Sequence, residues 1–456
     1  MIKGRNIFSS KKVFIRTIVP VTIIVFFLIT AVSCKTGKEE ILENKEAAEA
    51  EQAGEDVEGA AKTSANVIAI DIWDSCGPGE RIAMLDSIED FLAMNASVEI
   101  NTKHFRSQEE LEDQFEAASL AGSGPEIILV NMDGARRLAP ENIVREIKDE
   151  IDYIKILDGL VEISEYNNKK YIIPFRSTDF LMLFYNKELI EKPPSDFEAV
   201  VEYCREVNNT NEQIYGWLLN GSEADWVIPF VGGYSDWIID YDTDFLTLDS
   251  EATEKTLEFL NFIYNEEKIV PYDVKYEEID RLFRNGNAAM IINGTWAIEE
   301  YESEGLNFGI SKIPKVWQGD SNPTPLISGL GFMINVNCYG NELEESKKFI
   351  EYMLSEEVQI SWTKRTQTFP VLKNIDTNSA IRDDPLIFNA FQQAKICRGK
   401  PCDDMIRVIR DAIRINVENV IMGSITPQEA ASKIQRDAIR LKDGSITVEE
   451  LKEEKS

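Results

Sequence analysis

This sequence predicts an α/β fold in two lobes. Three observations carry that expectation. Strands and helices alternate strictly between Val67 and Val130, they alternate again between Lys170 and Val336, and the body of about 390 residues is long enough for two or three domains. Val67 to Trp73 (VIAIDIW) is dense in apolar and β-branched residues, as a buried strand is. Gly77-Pro78-Gly79 marks a turn. From Arg81 to Ala93, apolar residues Ile82, Leu85, Ile88, Phe91 and Leu92 recur at helical spacing. Val98 to Phe105 is the next strand and Leu111 to Leu120 the next helix. Ala121 to Pro125 (AGSGP) then turns the chain into a strand from Glu126 to Val130. This order predicts a mostly parallel sheet with helices on both faces.

The second alternation uses different residues. Lys170 to Pro174 and Phe180 to Asn186 read as strands, Phe197 to Val207 as a helix and Tyr215 to Asn220 as a strand. Glu254 to Glu266 is a helix with Leu257, Leu260 and Ile263 on its face. Ala288 to Asn293 (AAMIIN) is a buried strand ending at Gly294, and Asn307 to Ile310 and Gly331 to Val336 are two more. The last hundred or so residues read as mostly helical.

Ahead of the body stands an export address. Lys3, Arg5, Lys11, Lys12 and Arg16 precede an apolar run from Ile18 to Val32, which stops at Ser33-Cys34. Charge followed by an apolar run is the order of a secretory signal. A small residue before a cysteine at the end of the run resembles the bacterial lipobox, with Ala31 where that motif usually has Leu. Cys34 is therefore the expected lipidated N-terminus of the mature chain, and 1–34 its signal peptide. An uncleaved membrane anchor and plain secretion are the alternatives. With either lipid or anchor, the basic end faces the cytoplasm and the body lies outside. Lys35 to Ala65 is rich in Glu and Ala and has no aromatic residue. It has too little apolar surface to offset its ordering entropy, so 35–65 reads as an acidic, disordered tether.

Composition narrows the function. Apolar residues make up 43% of the chain, enough for a large core, and the net charge of −32 is spread along its length. That charge argues against nucleic acid, whose phosphates need cations. The single histidine, His104, removes the metal sites built on several imidazoles and reads as an ordinary strand-end residue. No G-x-S-x-G elbow, Walker A loop or full G-x-G-x-x-G is present. No metal, no cofactor and no catalytic residue is expected. Cys397 and Cys402 flank a turn-prone stretch and read either as a local disulfide or as reduced thiols. Asp240, Asp242 and Asp244 echo a calcium loop, but Phe245 stands where that loop needs Gly, so an acidic surface hairpin is the better reading.

Several runs, taken in order, resemble a known family. They are Ile70 to Trp73; Ala121 to Ile128; Ile173-Pro174-Phe175 with Phe184-Tyr185-Asn186-Lys187; Phe283 to Met290 leading into Asn293-Gly294-Thr295-Trp296; Gly309 to Pro314; and Phe349 to Ser355 through Gln359, Trp362 and Pro370. The body resembles the extracellular solute-binding proteins of bacterial ABC importers, of the maltose and multiple-sugar type. The family usually has Asp where Glu126 stands. On a late helix its sugar binders often carry an aromatic, where Asp403 to Arg414 offers Met405 and Arg407.

The resemblance implies a two-lobed, type II periplasmic-binding-protein-like clamshell with discontinuous lobes. Residues 66–178 and 327–372 would form lobe 1, 179–326 and 373–442 lobe 2, and 443–456 an acidic tail. Hinge strands would lie near Ser177 to Phe180 and Leu326 to Gly329. A sugar, most readily an oligosaccharide, would bind between the lobes and pass to the permease's transmembrane subunits. The protein would act as a monomer held to the membrane by its lipid. An anionic ligand such as a glycerol phosphodiester, paired by Arg176 or Arg407, is the alternative, followed by a secreted glycosidase.

A pyranose presents apolar C–H faces and a rim of hydroxyls, so aromatic rings and carboxylates are the side chains to seek at strand carboxyl ends. Trp73 and Asp74 end the first strand, and Asp133 follows the third. Asp179 lies at the first crossover. Trp226 and Tyr234 fall in the loop after Tyr215 to Asn220, with Gly232-Gly233 freeing the backbone before Tyr234. Trp296 follows Asn293-Gly294. These seven are the expected ligand contacts, with Glu80 and Arg176 close by.

Overall fold

A computed structural model describes residues 67–148, 151–210, 213–271 and 274–454. The leader with Cys34 and the tether 35–65 lie outside the described residues.

The chain opens with β1 (Ile68–Asp74), α1 (Pro78–Met94), β2 (Val98–His104), α2 (Gln108–Leu120) and β3 (Ile127–Asn131). β1 pairs in parallel with β2 and with β3, as the alternation requires. Pro78 suits the first turn of α1, where its missing N–H is not needed. Ser107 caps α2 by accepting from the Glu110 N–H. Glu126 replaces the family's Asp and accepts the Asp71 N–H at 2.7 Å, bonding β1 to the segment entering β3.

The buried face of α1 differs from the expected one. Ala83, Met84, Ser87, Ile88 and Phe91 face the core, whereas Ile82 and Leu85 are 59% and 44% exposed. Ser87 can be buried because its hydroxyl accepts the indole N–H of Trp362 at 3.0 Å. A polar residue with a distant partner hid the true stripe.

β4 (Ile173–Thr178) finishes in the first sheet, and β5 (Leu181–Asn186) begins a second. There follow α3 (Phe197–Thr210), α4 (Ala224–Gly233), α5 (Glu251–Asn261), α6 (Tyr276–Arg284), β6 (Met290–Gly294) and β7 (Phe308–Ser311). The second sheet is antiparallel, in the order β6–β5–β7. The period-2 alternation of β5 divides its side chains between two cores. Met182 and Phe184 join one, and Leu181 and Leu183 the other. The expected strand from Tyr215 to Asn220 forms only two isolated bridges, Tyr215 to Ala288 just before β6 and Leu218 to Ile291 within it. The expected acidic hairpin is present as Ile239–Asp240 paired with Phe245–Leu246.

β8 (Leu326–Ile334) returns to the first sheet and runs antiparallel to both β3 and β4. That sheet is therefore mixed rather than mostly parallel, because β8 inserts between β3 and β4 and runs against both. α7 (Gly340–Met353) and α8 (Glu356–Thr366) cover it, and α9 (Pro385–Ala394) packs on β7. β9 (Arg398–Gly399) pairs with the start of β8, and α10 (Asp403–Ile421) and α11 (Pro427–Lys442) pack against α5. Within 443–456, helix α12 (Val448–Glu453) places Leu451 fully buried against Ile415 and Ile446.

The two expected hinge segments are bonded neighbours, with Thr178 opposite Ser328. Phe369 exchanges backbone hydrogen bonds with Ser177, and Lys400 N–H donates to Ile327 O at 2.8 Å. All five described cysteines are free, so Cys397 and Cys402 form no disulfide. Cys397 is buried and donates to Gln393 O at 3.3 Å.

Candidate functional site

The second sheet delivers an exposed aromatic at its carboxyl end. β6 is buried along its whole length and ends at Gly294; the chain then turns through Thr295 and Trp296 into the helix Ala297–Ser303. Trp296 is 48% exposed although it follows a core strand. Its ring folds back over Gly294, where any Cβ would collide with it. The indole N–H donates to the Tyr276 hydroxyl at 2.8 Å, which fixes the ring's edge and leaves much of the ring open to solvent.

Two further aromatics complete this wall. Trp226 lies edge-on to Trp296, 6.4 Å between centroids, and 5.7 Å from Tyr276. It is 9% exposed and donates its indole N–H to Ile292 O at 2.8 Å, so it buttresses Trp296. Next to it, Asp225 makes a two-pronged bond to Arg410 of α10, both contacts at 2.8 Å.

The hinge adjoins the aromatic wall. Asp179 is exposed in a left-handed conformation (φ 61°), and its N–H donates to the Thr295 hydroxyl at 3.2 Å. That oxygen lies 3.3 Å from the Thr178 hydroxyl. Two residues before Thr178, Arg176 pairs with Glu80 at 2.5 Å, linking the hinge strand to the first turn of α1.

Asp74 lies deeper, at 0% exposure. It accepts from the Arg81 guanidinium, from the Cys76 N–H at 3.2 Å and pairs with His104 Nδ1 at 2.8 Å. It therefore orients the loop after β1 and has no free oxygen surface in this arrangement. Trp73 is half-buried, with Phe105 5.1 Å from its centroid and the Lys103 ammonium 4.3 Å from the ring centre.

Asp133 follows β3 and is hydrogen-bonded to Asp403, the first residue of α10; both line a cavity of about 530 Å³. Burial and the facing Asp403 charge raise the Asp133 carboxyl above its ordinary range. Burial works the same way on Asp403, but its hydrogen bond to Lys400 and the Lys400 charge outweigh it and hold that group low. Both carboxyls line the cavity, where they can meet a ligand hydroxyl. Seven residues, about 10.5 Å of helix, separate Asp403 from Arg410. α10 therefore links this cavity to the aromatic wall.

Two expected contacts sit differently from their sequence placement. Trp226 and Tyr234 were assigned to a loop; they lie on α4 and at its C-terminal cap. Pro229 masked the helix: it is the sixth of ten residues, in the helix interior where proline removes a backbone N–H, yet the helix continues through it. Gly232 and Gly233 serve close packing, since a Cβ at either would strike Thr324, Val316 or Pro323. Tyr234 is half-buried and donates to Trp317 O at 2.8 Å. The structure brings Trp226, Trp296 and Asp179 together, sets Asp133 at the far end of α10 and leaves Tyr234 among packing contacts. Tyr276, Thr295, Asp225 and Asp403 are functional candidates that sequence reasoning missed. Only Thr295, inside the Asn-Gly-Thr-Trp run, carried a local signal.

A family model described as bacterial extracellular solute-binding protein matches residues 86–389. The maltotriose-binding protein of Pyrococcus abyssi is 26% identical over 332 residues, covering 71% of this chain and 70% of that protein. A maltooligosaccharide ABC transporter solute-binding lipoprotein of Streptococcus pneumoniae is 19% identical over 339 residues, covering 72% and 78%. Among solved structures, an extracellular solute-binding protein from Staphylococcus aureus in complex with maltose superposes with a TM-score of 0.72. It is 18% identical, with 83% of this chain and 99% of that one covered.

Proposed function

The chain belongs to the bacterial extracellular solute-binding protein family, and from that premise we propose that it captures an oligosaccharide between its two lobes and delivers it to the transmembrane subunits of an ABC importer. The observation that carries the reading is the half-exposed Trp296 ring, held by Tyr276 and Gly294 at the carboxyl end of a buried strand. A flat apolar surface fixed at its edge and open on its face suits the C–H face of a pyranose. Asp179, Asp133 and Asp403 supply acceptors for the hydroxyl rim. Trp226 supports the platform, and Asp74 and Trp73 shape lobe 1. Relatives named for maltotriose and maltooligosaccharide support the ligand class.

The lobes in this reading are 66–178 with 327–372, and 179–326 with 373–442, a division that the pairing of Thr178 with Ser328 supports. Lipidation at Cys34 would hold the protein as a monomer on the outer face of the membrane, a reading supported by the relative named as a lipoprotein. The reading requires no turnover. The guanidiniums that an anionic ligand would use already have partners, Arg176 with Glu80 and Arg407 with Asp404.

A thermal-shift screen tests the proposal, because a ligand that binds only the folded form raises the melting temperature. Maltotriose is expected to raise it by several degrees with no release of shorter sugars; no response to any malto- or galacto-oligosaccharide would remove the sugar reading. Gly294→Ala separates platform from scaffold. Its Cβ displaces the Trp296 ring, which can swing into solvent at little cost to the fold. Maltotriose affinity measured by calorimetry is expected to drop roughly tenfold, about 1.4 kcal/mol, with the melting temperature nearly unchanged.

A further inference from the structure

One end of the cleft is crossed by an ion pair. Arg136, on the short helix Gly134–Leu138 behind β3, donates from Nη1 to Asp244 Oδ1 at 2.6 Å and from Nη2 to Tyr241 O at 3.0 Å. Arg136 lies on the lobe-1 side, and Asp244 and Tyr241 belong to the Ile239–Leu246 hairpin of the other. The hairpin is braced from within and from behind. Asp240 Oδ1 accepts the Asp242 and Thr243 N–H groups at 2.9 and 3.2 Å. The Tyr241 hydroxyl donates to Gly399 O of β9 and accepts the Trp237 indole N–H at 3.2 Å. The pair therefore spans the lobes from two supported positions.

It also stands between two hollows. Arg136 lines the cavity of about 530 Å³ that contains Asp133 and Asp403. On its other side, Arg136, Tyr241 and Asp244 line a small hollow. That hollow shares Glu162, Glu165, Tyr241 and Asp242 with a further cavity of about 630 Å³. The far cavity offers Tyr241 beside carboxylates, and the near one carboxylates and amides without an aromatic ring, so the chemistry of the far cavity does not turn a sugar away; the bridge does. We propose that the Arg136–Asp244 bridge is an end-stop that sets the length of sugar chain the cleft accepts. The proposal rests on the sugar reading above and deepens it, assigning specificity to two residues that bind each other rather than the bulk of the ligand.

Asp244 is 44% exposed and Arg136 19%; a carboxylate left without its partner at that exposure is hydrated, so Arg136→Ala leaves the fold intact. The test is calorimetric titration of the purified full-length protein with malto-oligosaccharides of two to seven glucose units. The wild type is expected to gain affinity with length and then stop gaining. In Arg136→Ala, and in Asp244→Gly, which suits the left-handed backbone at 244 (φ 53°), the gain is expected to continue. The longest chain should bind roughly tenfold more tightly than to the wild type, while maltose stays within about twofold. Asp244→Asn still accepts from Arg136 and should keep the wild-type limit. A parallel change at every length, as a latch on lobe closure would give, overturns the end-stop, and so does an unchanged length profile. A wild type that binds no member of the series also overturns it; if the thermal screen finds no other sugar either, the sugar reading falls with it.

Discussion

Trp296→Ala weakens maltotriose binding by ten- to a hundredfold and leaves the fold almost as stable as before. The two halves of that expectation have separate causes. A ring covering a sugar face excludes water and contributes on the order of 1–3 kcal/mol, which is roughly one to two decades of affinity. Stability is spared because the ring is 48% exposed and packs on Gly294, Trp226 and Tyr276 at the surface end of the strand. A core tryptophan would instead cost about 3–5 kcal/mol of unfolding free energy. Calorimetry and urea unfolding on the same variant separate these outcomes. Undiminished affinity in a well-folded Trp296→Ala protein would remove the residue from the site.

Asp74→Ala is expected to do the opposite, costing about 3 kcal/mol of stability through the loss of one partner of a buried ion pair. Asp74 is fully buried and neutralises Arg81, whose side chain is only 18% exposed. It also accepts the Cys76 N–H. Without it, a mostly buried guanidinium keeps the Thr102 hydroxyl but loses its counter-charge, and a backbone donor loses its partner, at the junction of β1 and α1. Urea unfolding should show a lower midpoint with an unchanged slope, because the surface exposed on unfolding stays the same. A midpoint within experimental scatter of the wild type would show that Arg81 finds another partner.

The contrast between these two residues shows what the sequence could and could not reveal. Both were expected at strand carboxyl ends, and both are there. Local pattern located the strand ends because buried strands declare themselves by apolar runs, and Asn293-Gly294 fixed the turn that exposes Trp296. Pattern could not say that Asp74 would be sealed, because Arg81 lies seven residues on and His104 arrives from the neighbouring strand. The same limit explains α1, where Ile82 and Leu85 stood in for a buried stripe that includes Ser87. Ser87 is a core residue because its hydroxyl donates to Ala83 O and accepts from Trp362, 275 residues away. Asp133 was legible but its counterpart Asp403 was not, since the two meet only when the C-terminal helix returns to the cleft. Trp226 and Tyr234 were misplaced because Pro229 and Gly232-Gly233 carry turn signals that tertiary packing overrides.

Small-angle scattering with and without saturating maltotriose tests the central claim most directly. The chain crosses between the lobes at a few adjacent segments, so ligand held between them should draw the lobes together by hinge motion. A smaller radius of gyration is expected with maltotriose bound. An unchanged radius at a concentration that calorimetry shows to be saturating would contradict it.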